Sequence, residues 1–435
     1  MEITARSAAL QALARCRRDG AWSNEVLSSI TDAASLESRE AALAQQLFIG
    51  VLQNRTLCDF YIDAYSSIKS ARMEPKLLDI LRISVYTLLF LDRIPPRAAV
   101  HEAVELCKHC GLTRAAGLAN AVLRRIAENR TSLPEPPGKG SAEYLSVLYS
   151  HPKWIVDAFI RRLGYDGAEQ LLRLDNSPAA VTVQVNTLKT TSDTLLETGA
   201  RPHPWLPDCL ILPPGGAGLA LVREGLAYVQ DPAAKLAVLA ADPEPGMSVL
   251  DACAAPGGKS FAAGIQMRNH GSILSCDLHG KKLGRVHSGA ALLGLDLIRT
   301  RALDARRAGE ALQTVFDLVL ADVPCSGLGV IRKKPDIRFK SAEDIRGLPG
   351  IQLVILRSLA DCVKPGGVLL YSTCTLLPAE NEDVCNAFLS ENKLFSTEAF
   401  MLPGPAGLSE SGMLTLWPHI HETDGFFLCK MRKQI

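Results

Sequence analysis

Five short β-rich runs, each followed by a helical stretch, dominate the second half of this 435-residue chain: "MSVLDAC", "GSILSCD", "DLIRTRALD", "FDLVLADV" and "GGVLLYSTC". Strands spaced this way pair in parallel through right-handed helical crossovers, so residues 226–435 are predicted to form a doubly wound α/β domain. In such a sheet, ligands bind beyond the carboxyl ends of the strands, where the strand order reverses. The residues with chemical potential gather at those ends: Asp251 to Lys259, Asp277, Asp304, Asp322 to Cys325, and Thr373 with Cys374.

The first half has a different rhythm. Through residues 1–130, apolar residues recur at helical spacing in "ARSAALQALARC", "REAALAQQLFIGVLQNR", "PKLLDILRISVYTLLFL" and "RAAGLANAVLRRIAENR", which predicts a helical bundle. The Pro- and Gly-rich "TSLPEPPGKGS" opens a linker predicted over 131–147. Residues 148–225 mix one helical run with "AVTVQVNTL" and read as a small α+β subdomain. "CKHC" at 107–110 lies in a helical pattern with no second ligand pair at usable spacing, so no metal is expected.

Charge says little about partners, because 47 basic residues face 46 acidic ones. The twelve cysteines follow no repeated spacing, and the N-terminus has no apolar signal core. The apolar run from Ile83 to Leu91 is far shorter than the roughly 20 residues a membrane helix needs. A cytoplasmic monomer with reduced thiols and no membrane association is the expectation.

"DACAAPGGKS", residues 251–260, imitates a phosphate loop. The Gly-x4-Gly-Lys-Ser pattern would put its first glycine at 253, where this chain has Cys253. Strand-end acids also argue against a polyphosphate. Asp277 is placed to accept from ribose hydroxyls and Asp304 from an adenine amino group. Each acid alone would serve as a helix N-cap. Taken with the turn, they point to S-adenosyl-L-methionine, with Gly257 and Gly258 admitting the backbone near its methionine end and Lys259 placed to pair with its carboxylate or with a neighbouring acid.

Cys325 and Cys374 follow adjacent strands of the predicted order, so both thiols can face one substrate. A lone cysteine is usually a small buried hydrophobe, but a thiol in a polar turn at the ligand edge has other uses. Beside a methyl sulfonium, a thiolate adds to C6 of cytosine and makes C5 nucleophilic, splitting one hard step into two. Asp322 is placed to hold the N3/N4 edge of the ring. The basic "RKKPDIR" (Arg332, Lys333, Lys334 and Arg338) is placed to meet phosphates.

"DACAAPGGKS", "DVPCSGLGVIRKKPDIR" and "YSTCTLLPAENEDV" resemble, in order, the motifs of RNA cytosine-C5 methyltransferases, a likeness spanning most of residues 148–435. "LWPHIHETDGFFLCKM" is similar to that family's last hairpin, and the N-terminal helices resemble the NusB-type RNA-binding bundle. The combination is the arrangement of bacterial 16S ribosomal RNA methyltransferases of the B type. The resemblance implies Cys374 as nucleophile, Cys325 in product release, and cofactor contacts from Cys253, Ala254, Ala255, Pro256, Gly257, Gly258 and Lys259 with Asp277, Asp304 and Asp322. It also implies 16S ribosomal RNA, free or in a partly assembled small subunit, as substrate. "VQVN" and "DIRF" depart from the commoner family forms. A transfer-RNA cytosine methyltransferase and an inactive RNA-binding or antitermination factor are the rival readings.

Overall fold

The computed structural model describes residues 3–19, 26, 29–32, 35–213, 215 and 218–435. Its contacts divide into two compact units, residues 1–177 with 331–340, and residues 178–330 with 341–435. No described helix is long and apolar enough to cross a membrane.

The first unit is helical. Ala5–Asp19, Ser38–Gln53, Arg55–Tyr65, Pro75–Phe90, Pro96–His109 and Ala116–Glu128 pack around one apolar core. Pro75–Phe90 is its centre, because it is buried on nearly every side. Its two buried charged residues are paired, with Arg82 donating to Asp59 at 2.7 Å and to Asp79 at 3.0 Å. Gly50 permits the crossing of Ser38–Gln53 over this helix, since a Cβ there would lie 2.0 Å from the Tyr86 ring. Ala142–Leu148 and Lys153–Asp175 complete the unit, the first capped by the Ser141 side chain, so the predicted linker ends in a helix.

Segment 331–340 is built into the same unit and overturns one expectation. Arg338 is fully buried. Its Nη1 donates to the carbonyl of Gln53 at 2.8 Å and to Asn176 Oδ1 at 2.9 Å. Burial pulls its guanidinium down to about 10. Arg338 therefore has no surface to offer a phosphate; it is a structural anchor. Lys334 is exposed, and Arg332 and Lys333 are half-buried. Arg338→Ala strands those acceptors and leaves a cavity, so the full-length protein should lose roughly 2–4 kcal/mol in urea unfolding, reported by the helical far-UV signal.

The second unit holds two larger sheets. β1 (Thr182–Val185), β2 (Arg201–Pro202), β3 (Cys209–Ile211) and β4 (Ala227–Val229) form a small antiparallel sheet in the order β2-β3-β1-β4. Five strands follow at the predicted places: β5 (Ser248–Asp251), β6 (Ser272–Asp277), β7 (Ile298–Ala302), β8 (Phe316–Asp322) and β9 (Val363–Thr373). β10 (Phe395–Thr397) lies at the sheet edge, and β11 (Phe400–Leu402) pairs with β12 (Gly407–Ser409). β13 (Met413–Leu416) and β14 (Phe426–Lys433) make the closing hairpin. The main order is β7-β6-β5-β8-β9-β14-β10, with β5 to β9 parallel and β14 antiparallel to β9.

Helices cover both faces of that sheet. Along β5 and β8, Val249, Leu318 and Leu320 enter one core while Leu250, Val319 and Ala321 enter the other. This is why "FDLVLAD" reads as an unbroken apolar run: both faces are dry. The strand order reverses at β5, between β6 and β8, which places a crevice at their carboxyl ends.

Candidate active site

The turn after β5 leads into a helix at Gly258–Gln266. Gly257 holds φ at 115°, and a Cβ on it would meet the Phe261 ring at 2.5 Å, so only glycine fits there. Behind the turn, buried Asp251 accepts from Ser260 Oγ at 2.6 Å, and Ser260 lies 2.7 Å from Ser275 on β6. Burial raises the Asp251 carboxyl to about 6. This inner network braces the turn from below.

Lys259 points from the turn to Asp322 at the end of β8, 2.6 Å away. Burial works to lower its ammonium, but Asp322, Asp251 and Cys374 outweigh that and hold it above its ordinary value. The ring of Phe426 lies 5.0 Å below the charge. Asp322 also accepts from Ser372 Oγ at 2.9 Å, so both of its oxygens are fixed.

The two strand-end acids differ. Asp277 uses Oδ1 for the N–H of His279 at 2.9 Å, and its Oδ2 accepts no bond among the described residues. That free oxygen fits a ribose hydroxyl. Asp304 caps a short turn and is gripped by Arg306, with Nη2 at 2.6 Å and Nε at 2.9 Å.

Beyond β8 and β9 the two thiols come together, with Cys325 Sγ 3.2 Å from Cys374 Sγ. The bond to Cys374 and burial, with the charges of Cys374, Glu380 and Asp322, push the Cys325 thiol far up and keep it protonated. Cys253 is also pushed up, by burial and the surrounding acids, so it is a packing residue of the turn rather than a nucleophile.

One residue that the sequence reading missed organises both thiol loops. Glu380 is buried and accepts from the N–H of Ser326 at 2.9 Å and from Gln352 Nε2 at 2.9 Å. Gln352 in turn donates to the carbonyl of Pro324 at 3.0 Å, and Ser326 Oγ meets Thr375 Oγ1 at 2.7 Å. Glu380 thereby clamps the residues flanking Cys325 and Cys374 to each other. Its signal was a lone acid inside "TLLPAEN", where a loop carboxylate is ordinarily exposed. Glu380→Ala should lower the unfolding midpoint by the equivalent of roughly 2–4 kcal/mol, read by urea titration, because two buried donors lose their acceptor.

Close backbone packing finishes the pocket. Gly329 donates to the Cys374 carbonyl at 2.9 Å, and a Cβ on Gly329 would sit 1.9 Å from the Gly425 carbonyl oxygen. Among the described residues no group of three or more His, Cys, Asp or Glu could hold a metal.

Comparison with known proteins follows this geometry. Residues 238–432 match the model of the 16S rRNA methyltransferase RsmB/F family, residues 3–128 the NusB family, and residues 151–216 a ferredoxin-like domain of RsmF/B-like methyltransferases. The probable ribosomal RNA small subunit methyltransferase B of Bacillus subtilis (strain 168) is 37% identical, over 100% of this chain and 99% of that protein. The crystal structure of PH0851 matches with a TM-score of 0.80 at 27% identity, covering 100% of both chains. NSun6 from Pyrococcus horikoshii, solved with SFG, shares the fold over 65% of this chain and 98% of its own, with a TM-score of 0.58 at 21% identity.

Proposed function

The chain belongs to the RsmB/F family of 16S rRNA methyltransferases, and we propose that it methylates C5 of an unpaired cytosine in 16S ribosomal RNA through a transient bond from Cys374 Sγ to C6 of the base. As an RNA methyltransferase of this family it uses S-adenosyl-L-methionine, which supplies an electrophilic methyl group. The free Oδ2 of Asp277 and the tight turn from Cys253 to Lys259 fit that cofactor, with Asp304 and Asp322 completing the proposed contacts.

The observation that carries the reading is the pair of sulfurs 3.2 Å apart beside the Lys259–Asp322 ion pair. Lys259 and Cys374 interact electrostatically, and a fixed cation stabilises a neighbouring thiolate. The Cys374 thiolate adds to C6, and the electron pair passes to C5, which takes the methyl group. Asp322 steadies the N3/N4 edge. Transfer of the C5 proton to water then drives the electrons back, the sulfur–C6 bond breaks, and Cys374 leaves as a thiolate that accepts a hydrogen bond from the Cys325 thiol. Cys325, kept protonated, assists that release. The target base must be unstacked, since stacking hides C6 from a thiol.

The helical region (1–130) and the small subdomain (148–225) are assigned to holding RNA, with Arg332, Lys333 and Lys334 against phosphates. A ribosomal substrate puts the activity in the cytoplasm, on free 16S RNA or a partly assembled small subunit, with the enzyme acting as a monomer. Competition between 16S and transfer-RNA transcripts for labelled methyl groups, followed by bisulfite sequencing, tests the reading. Label in one cytosine of the 16S transcript is the expected result. Preferential labelling of transfer RNA, or no transfer at all, overturns it.

A further inference from the structure

In the helical unit, the antiparallel helices Pro96–His109 and Ala116–Glu128 enclose a cleft of about 630 Å³ that the methyl-transfer chemistry does not use. Arg97 and His101 rise from one helix a turn apart, and Asn120, Arg124 and Glu128 from the other at the same spacing. Val100 is buried beneath them as an apolar floor.

Several cations of the unit are committed to acids, whereas those of this cleft are not. Arg17, Arg82, Lys153 and Arg173 are paired with acids. The two acids that share a helix with Arg97 are already paired with other cations, Glu102 with Arg6 at 2.6 Å and Glu105 with Lys108 of the same helix at 2.7 Å. The side chains of Arg97, Asn120 and Arg124 make no hydrogen bond or ion pair with any described residue. Arginine donors held apart over an apolar floor suit a chain of phosphates joined by sugars better than a point anion.

We infer that this cleft grips the sugar–phosphate backbone of the RNA substrate, Arg97 and Arg124 each taking a phosphate and Asn120 a ribose or phosphate oxygen. Glu128, at the end of the cleft, opposes the polyanion and limits how tightly it is held. The inference rests on RNA being the substrate, and it places an RNA contact in the unit that does not carry Cys374.

The test is filter binding of the full-length protein to a labelled 16S transcript across a salt series. The double variant Arg97→Glu/Arg124→Glu should weaken binding about tenfold near 100 mM salt and flatten the salt slope by about 1.5, equally on non-target RNA, since phosphates carry no sequence. Glu128→Gln should tighten binding two- to threefold. Arg97→Gln/Arg124→Gln, with a wild-type melting profile, guards against a folding artefact. Wild-type affinity and slope in the double variants, or a defect confined to turnover, ends the proposal. Wild-type protein that binds RNA but transfers no methyl group would sink the proposed function and leave this cleft standing.

Discussion

Cys374→Ser is expected to abolish methyl transfer to 16S RNA while leaving cofactor and RNA binding intact. A serine hydroxyl is a far weaker nucleophile than a thiolate at neutral pH, and the Lys259 charge that favours a thiolate cannot ionise an alcohol. The loss should be at least about a thousandfold, equivalent to about 4 kcal/mol of barrier. The change removes little packing, because the hydrogen bond from Gly329 goes to the backbone carbonyl at 374 and survives. Tritiated-methyl incorporation measures the first claim and calorimetric titration with the cofactor the second. Retention of wild-type turnover would remove Cys374 from the chemistry altogether.

Cys325→Ala should produce the opposite defect: attack proceeds, release stalls, and protein accumulates joined to RNA. Two-step covalent chemistry makes the adduct visible once the second step is slowed. A slowly migrating band on a denaturing gel, dependent on cofactor and absent from the double variant Cys325→Ala/Cys374→Ser, is the expected readout. The two single variants also decide between assignments, since sulfurs 3.2 Å apart are nearly equivalent in position. An adduct trapped by Cys374→Ser and absent from Cys325→Ala would exchange their roles.

How much of this was legible in the sequence differs from residue to residue. The central strands β5, β8 and β9 are readable because burial on both faces writes them as apolar runs, whereas the outer β7, IRTRA, is largely exposed and is readable only from its place in the alternation of strands and helices. The meeting of Cys325 with Cys374 follows from strand order alone, β8 beside β9. Arg338 misleads because local sequence places it among exposed cations, whereas its partners Gln53 and Asn176 lie far along the chain. Glu380 was invisible for the same reason: Gln352 and Ser326 reach it from distant segments. Short-range pattern reports which elements form. Long-range hydrogen bonding decides which polar residues they swallow.

Residues 331–340 belong to the helical unit although the chain on either side of them lies in the other. The polypeptide is thus stitched between the units at 177/178, 330/331 and 340/341. Residues 1–177 expressed alone would lack Arg338, whose guanidinium bonds Gln53 and Asn176 within that unit. The helical bundle is therefore encoded in two pieces, the second of them set within the half of the chain that carries both thiols.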